Sequence, residues 1–342
     1  MFDLVVVGEG GGPDETNLSG YLLKPSDKDW KDGIIALEAG SGLGALQKLI
    51  NNDSRLFNST SALEVYSYVH CFLVTHAHLD HVNGLVLSAG TLSGPRKRVY
   101  ASRQTLQDLE SVFADRIWPN LASWDKDDGD YKLLYTVIGT RDLYEQIIPG
   151  VSVRYFPVSH GHNERGDYDS AAFFIRHNPT GHEFLFFGDV EPDLVSRSPK
   201  TINVWRAAAP KIPATLQTIF IECSWPSSRS DDTLYGHLSP VHLVHELETL
   251  ASEIVKVRNS TRTSSSLVRP KRKKQRLDPA PVDLRGSLTG LRVFVTHCKD
   301  TLNGAPDRPN QTLIMEEIKA LLEPKELGVE IIAARQGMRV QI

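Results

Sequence analysis

Between residues 75 and 85 the chain reads THAHLDHVNGL, which places His76, His78, Asp80 and His81 within six positions, directly after the apolar run CFLV at 71–74. Imidazole nitrogens and a carboxylate in one short loop are the donor set of zinc and similar divalent ions. Side chains two apart leave an extended segment on the same side, so His76 and His78 can grip one ion, while a turn lets Asp80 and His81 face a second. The ions of a two-metal site stand only about 3.5–4 Å apart, a span this compact loop can provide. Four such groups left without partners at the end of a buried strand would be costly, which weighs against an ordinary polar loop.

Four residues do not complete two ions, and three other stretches repeat the layout of an apolar run followed by a donor: His160 in FPVSHGH, Asp189 in FLFFGDV and His297 in VFVTHCK. This suggests one ion on His76, His78, His160 and Asp189 and a second on Asp80, His81, Asp189 and His297, the two oxygens of Asp189 bridging them. His162 competes with His160; the order strand, His, Gly favours His160 and leaves His162 at the rim. His70, His177 and His182 have no partner motif and read as structural or exposed. His242 and His245 lie three apart on an expected helix, where solvated positions are the plainer reading.

The elements that must hold these residues are read from periodicity. Apolar or β-branched runs at 4–8, 34–38, 71–75, 151–159, 171–176, 183–189, 218–222 and 291–297 read as strands, several of them continuous enough to be covered on both faces. Helices are expected at 42–51, 81–89, 103–116, 240–257 and 311–323. The last but one has the clearest start: Ser239 as N-cap, Pro240 at the first helical position, then Leu243, Leu247, Leu250 and Ile254 at helical spacing. Residues 258–287 are Ser/Thr-rich, then basic, then Pro-rich, and read as a mobile surface insertion. Within it RPKRKKQR (269–276) could serve as a nuclear-localisation or anion-binding patch and RTSSS (262–266) as a phosphorylation target.

The quoted motifs resemble the metallo-β-lactamase superfamily over most of the chain, from VVVGEGGG to His297, the basic insertion excepted. Within it THAHLDHVNGL, FFGDVEPD, IECSWP and above all LYGHLSP (234–240) are similar to the class II cyclic-nucleotide phosphodiesterases of the low-affinity fungal type. The resemblance implies an α/β (α+β) fold, a metallo-β-lactamase-like four-layer αββα sandwich with a dinuclear site at one edge of its two sheets. It also implies a single catalytic domain over 1–342 with 258–287 inserted in it.

From that resemblance two zinc ions are expected, holding a bridging hydroxide that attacks the phosphorus of 3′,5′-cyclic AMP, and of cyclic GMP, to give the 5′-monophosphate and damp cyclic-nucleotide signalling. Asp80 counts among the catalytic residues. The leaving 3′-oxygen needs a proton, for which His237 is the candidate acid, with Glu222 accepting a hydrogen bond from its other ring nitrogen. A plainer role for His237 is packing at the start of its helix, and for Glu222 a surface carboxylate. The Gly-rich turn in GEGGGPDETNLSGYLL (8–23) has neither a P-loop nor a dinucleotide pattern. It reads as a loop near the metal edge, where Asn17 or Ser19 could touch the substrate phosphate. Trp118 and Pro119 could wall a base, though core packing is the more usual role of an aromatic.

Composition bears on the other classes of function. With Lys+Arg 38 against Asp+Glu 42 the formal charge is −4, and the one basic run carries no aromatics for stacking. This argues against nucleic acid as partner, and so against the alternative of a tRNA 3′-processing endonuclease of the same fold. A catalytically inactive binding subunit is the other alternative, opposed by the complete set of seven donors. No apolar stretch is long enough for a membrane span, and the N-terminus lacks a basic n-region, so a cytoplasmic protein is expected, with nuclear import through the basic run open. Cys71, Cys223 and Cys298 form no C-x-x-C pair and read as small buried residues. A homodimer is left open.

Overall fold

The computed structural model of the chain describes residues 1–139, 143–164, 166–264, 282–299 and 310–342, with backbone only at 261–264. Among them fifteen strands form two sheets. One holds β1 (Phe2–Gly8), β2 (Gly20–Pro25), β3 (Ile34–Leu37), β4 (Val69–Leu73), β5 (Lys97–Ala101), β6 (Ala122–Ser123), β7 (Leu133–Val137) and β15 (Arg339–Gln341), in the order β15-β1-β2-β3-β4-β5-β7-β6. The other holds β8 (Glu145–Ile148), β9 (Val151–Asn163), β10 (Gly166–His177), β11 (Glu183–Phe187), β12 (Leu216–Glu222), β13 (Arg292–Thr296) and β14 (Glu330–Ala333), in order β14 to β8. In each sheet a parallel half, β3 to β7 in one and β11 to β14 in the other, adjoins an antiparallel half.

Alternation along the strands builds the layers. Phe2, Leu4 and Val6 of β1, Cys71 and Leu73 of β4, Phe173 of β10, Phe184 and Phe186 of β11, Phe220 of β12 and Phe294 of β13 meet between the sheets. Their neighbours point outward: Val5, Val7 and Phe72 pack under α1 (Leu43–Asn52), α2 (Ala62–Ser67), α3 (Leu79–Ser88) and α4 (Arg103–Val112). Leu185, Ile219, Ile221, Val293 and Val295 pack under α5 (Thr201–Ala208), α6 (Pro240–Ser264) and α7 (Asn310–Leu322). Three apolar cores separating four layers make the expected αββα sandwich. The continuous apolar runs are explained by this arrangement, because both faces of the central strands are covered.

Several boundaries differ from the sequence reading. The strand expected to end at 159 runs on to Asn163. The helix expected to end at 116 stops at Val112, before Asp115 turns to φ 61. The helix expected to end at 257 continues to Ser264, since extending a running helix adds a backbone bond per residue without a new nucleus. At its other end Ser287 is buried, and its carbonyl accepts from Arg258 Nη2 at 3.1 Å. Residues 265–281, with the basic run and the end of RTSSS, lie outside the described residues. His242, expected in solvent, is buried against Ser239 Oγ at 2.8 Å, a contact that closes the first turn of α6. His245 is exposed.

Candidate metal centre

Every donor picked out by its place after an apolar run arrives at the same edge, where the parallel strands of both sheets end. His76 follows β4; His78 is the N-cap of α3, whose first turn carries Asp80 and His81. An acidic side chain is favoured there by the helix dipole. Asp189 follows β11, Glu222 closes β12 and His297 follows β13. His160 is aimed inward by a bulge, since His160 and Gly161 together oppose the single residue Tyr168 between the pairs Ser159–Asp169 and His162–Asp167. Gly161 takes φ 96 there, and His162, beyond it, is exposed.

The donors form two groups. In the first, His78 Nδ1 lies 3.0 Å from His76 Nε2 and 3.2 Å from His160 Nε2, and Asp189 Oδ2 lies 3.6 Å from both His76 Nε2 and His160 Nε2. In the second, His297 Nε2 lies 3.1 Å from His81 Nε2 and 3.2 Å from Asp80 Oδ2, with Asp189 Oδ1 at 3.3 Å from both imidazoles. Ligand atoms about 2.0–2.1 Å from a tetrahedral ion are separated by roughly 3.4 Å, so both groups have the spacing of a coordination shell. Asp189 Oδ2 is buried without a hydrogen-bond partner, an orphan that a cation would satisfy. These side chains can therefore hold divalent metal ions.

The surrounding side chains fix which ring nitrogen faces the centre. Gly236 O accepts from His160 Nδ1 at 2.8 Å, which leaves Nε2 as the lone pair. Thr75 Oγ1 stands 2.9 Å from His76 Nδ1, Glu38 Oε2 3.4 Å from His81 Nδ1, and Ser224 Oγ 3.1 Å from His297 Nδ1. The ring of Tyr168 stacks on His78, centroids 4.8 Å apart and 5° from parallel. Burial, then the neighbouring His81, holds His76 well below the usual imidazole range, and burial pulls His160 down to about 3. Both are thus neutral, as metal ligands must be. Burial opposes charge on His81 too, yet the carboxylates of Asp189, Glu38 and Asp80 outweigh it and raise its pKa.

Beside the two groups sits a second constellation. His237 Nδ1 lies 2.9 Å from Glu222 Oε1, which also accepts the Val190 N–H at 2.9 Å; Oε2 accepts from Ser224 Oγ at 2.6 Å and from the Leu238 N–H at 3.3 Å. Burial, followed by the charge of Asp189, pushes Glu222 up to about 7, and burial draws His237 down to about 4. His237 Nδ1 is 3.8 Å from Asp189 Oδ2. Glu222 is 1% exposed, not the surface carboxylate of its plainer reading.

Further residues surround these donors. Ser19 is buried, Asn17 Oδ1 accepts the Glu9 N–H at 3.1 Å, and Gly11 of the same loop packs against His297. Trp118 packs on the core under the first sheet's helices. Glu38, Thr75 and Ser224 were missed. Glu38 had a signal, an acidic residue ending the apolar run IIAL like the other strand-end donors; Thr75 and Ser224 had none.

The profile of the cAMP phosphodiesterases class-II matches residues 6–337, nearly the whole chain. The chain belongs to this family. It is 34% identical over 272 residues to a 3′,5′-cyclic-nucleotide phosphodiesterase of Schizosaccharomyces pombe, covering 73% of this chain and 75% of that one. It is 29% identical to a 3′,5′-cyclic-nucleotide phosphodiesterase of Aliivibrio fischeri over 99% of this chain and 92% of the other. The crystal structure of unliganded yeast PDE1 superposes with a TM-score of 0.81 at 24% identity, covering 100% of this chain and 99% of that one. The metallo-β-lactamase fold protein YhfI of Bacillus subtilis superposes at 0.57 and 13% identity, over 99% of this chain and 98% of that one. The sandwich is thus a metallo-β-lactamase fold. No helix among the described residues is long and apolar enough to cross a membrane.

Proposed function

We propose that the class-II phosphodiesterase assignment is realised at this edge as hydrolysis of 3′,5′-cyclic AMP, and of cyclic GMP, to the 5′-monophosphate. The observation that carries the reading is Asp189, whose two carboxylate oxygens each lie 3.3–3.6 Å from two imidazole nitrogens of a different donor group. His76, His78, His160 and Asp189 would hold one ion and Asp80, His81, Asp189 and His297 the other; nitrogen-rich, borderline-soft donors favour zinc. When bound, such a pair supplies a water-derived nucleophile at neutral pH and neutralises charge on the phosphate.

The chain's own residues do the rest. Glu222 holds the His237 ring through Nδ1, so Nε2 acts as the acid toward the departing 3′-oxygen only once the ring has taken up a second proton, which the Glu222 carboxylate favours and burial opposes. The same Glu222 oxygen fixes the Val190 N–H, so the loop bearing Asp189 and the acid His237 share one anchor. Thr75, Glu38 and Ser224 stand at the outward ring nitrogens of His76, His81 and His297 and orient those imidazoles. Donors from both sheets and from positions 76 to 297 meet at one place, which supports reading 1–342 as one catalytic domain.

The test is an assay of purified protein against cyclic AMP, cyclic GMP and a tRNA precursor, with and without chelator. Chelator-sensitive hydrolysis of the cyclic nucleotides is expected. Turnover indifferent to chelator removes the metal mechanism, and cleavage of the RNA alone moves the assignment to the endonuclease reading.

A further inference from the structure

The first sheet has a second concave feature at the far end of its strands from the metal centre. A cavity of about 260 Å³ opens where β4 and β5 begin, lined among others by Lys31, Ser67, Tyr68, His70, Arg96 and Lys97. Five-residue strands at about 3.3 Å per residue put it roughly 17 Å from the donors that follow β4. No acidic residue lines it.

Lys97, the first residue of β5, is only 4% exposed. Its Nζ donates to Ser67 O at the end of α2, 2.6 Å away. That helix-end carbonyl is a natural partner for a cation, yet it uses one of the ammonium's three donors. No carboxylate among the described residues forms an ion pair with Lys97, although a charge taken out of water without a counter-charge is strongly disfavoured. Burial accordingly lowers its pKa. Ser67 Oγ, on the same lining, is buried without a partner. Arg96 adds positive charge while spending its donors on the carbonyls of Leu133, Asp125 and Ser123. Lys31 and His70 stand exposed on the same lining.

A buried cation with spare donors, a partnerless hydroxyl and further cations call for one kind of ligand, a compact anion rich in acceptors. We propose that this cavity binds a phosphate group, as the free anion or a small monoester, with Lys97 Nζ and Ser67 Oγ as its inner contacts and Lys31 and His70 at its mouth. The site is separate from the metal centre and independent of the reaction assigned there.

Inorganic phosphate and glycerol 3-phosphate, titrated into ¹⁵N-labelled holoenzyme against sodium chloride at matched ionic strength, test it. The expected result is saturable shifts of the Ser93, Gly94 and His70 amides with a Kd at or below about 1 mM, absent with chloride. The tighter probe identifies the source of the phosphate. Lys97→Met, which keeps the packed stem, should abolish those shifts and leave cyclic-nucleotide turnover unchanged; Lys31→Ala, at an exposed position, should weaken them by about tenfold. Amides at this cavity that ignore both probes, or that still respond in Lys97→Met, overturn the proposal.

Discussion

Gly11 lies flat against the imidazole of His297: a Cβ built on Gly11 would fall 2.5 Å from Cε1 and 2.7 Å from Nδ1 of that ring. The same loop fixes His297 from its backbone, since Glu9 O accepts the His297 N–H, and His297 holds a left-handed φ of 58. Such a conformation persists in a non-glycine residue only where its surroundings enforce it. The Gly-rich loop is thereby the outer wall of the second donor group.

Gly11→Ala should therefore push His297 Nε2 away from Asp80 and His81 without unfolding the chain, because Gly11 itself does not need a left-handed φ. Loss of orientation by a residue outside a ligand set typically costs 10–100-fold in metal affinity. Metal analysis should show the second ion depleted first, with activity falling alongside and the far-UV spectrum unchanged. Retention of both ions and full turnover would refute this wall.

The His237 and Glu222 pair predicts a different separation. His237→Ala should lower turnover by about 10²–10⁴-fold, the usual share of a positioned acid, and leave metal content near wild type. Joint loss of activity and metal would make His237 a ligand instead, an outcome the third donor group of Glu222, His237 and His297 makes worth measuring.

What could be read in the sequence was the set of strand-end residues. His76, Asp189, Glu222 and His297 each interrupt apolar character at the point where a covered strand leaves the sheet, and a polar residue there has little reason to exist unless it has a task. His160 belonged to the same set, but its aim depends on a bulge set by register with Tyr168, invisible in one strand alone. The orienting contacts were less legible because they join residues far apart: Glu38 to His81, and Gly236 to His160, 76 positions away. Their chemistry is generic, and only the fold selects them. The layers were legible where runs were long, while the short α2 and α5 lack the length that makes helical periodicity visible.

Glu246 makes a pH prediction away from the metal centre. It is 1% exposed, accepting from Trp205 Nε1 at 2.7 Å and the Asp193 N–H at 3.0 Å, and burial pushes it up to about 7. A folded pKa above the unfolded value of about 4.5 means that the native state keeps a proton the unfolded chain releases. Its stabilising contribution is thus complete below about pH 4.5 and is lost as pH rises through about 7, a change on the order of 3 kcal/mol. Glu246→Gln loses one acceptor at every pH but cannot ionise. The difference in unfolding free energy between the two proteins should shift in favour of the variant from pH 5 to 7.5; parallel profiles would show that burial does not perturb this carboxyl.

Gly40 gives the counterpart to Gly11, a position where the obstacle is backbone. Its Cβ would lie 1.8 Å from the Asp80 carbonyl oxygen, and the bonds Gly84 N–H to Gly40 O at 2.9 Å and Ala39 N–H to His81 O at 2.8 Å hold the two segments at that distance. A ring can swing aside, but the first turn of α3 cannot move without opening both bonds and shifting Asp80 and His81 together. Gly40→Ala should cost at least about 2 kcal/mol in urea unfolding, in the range of overpacked core sites, and reduce metal content and stability together. Gly11→Ala should separate those two quantities. A Gly40→Ala protein of wild-type stability would mean that α3 is not seated against residues 39–40 as tightly as these distances require.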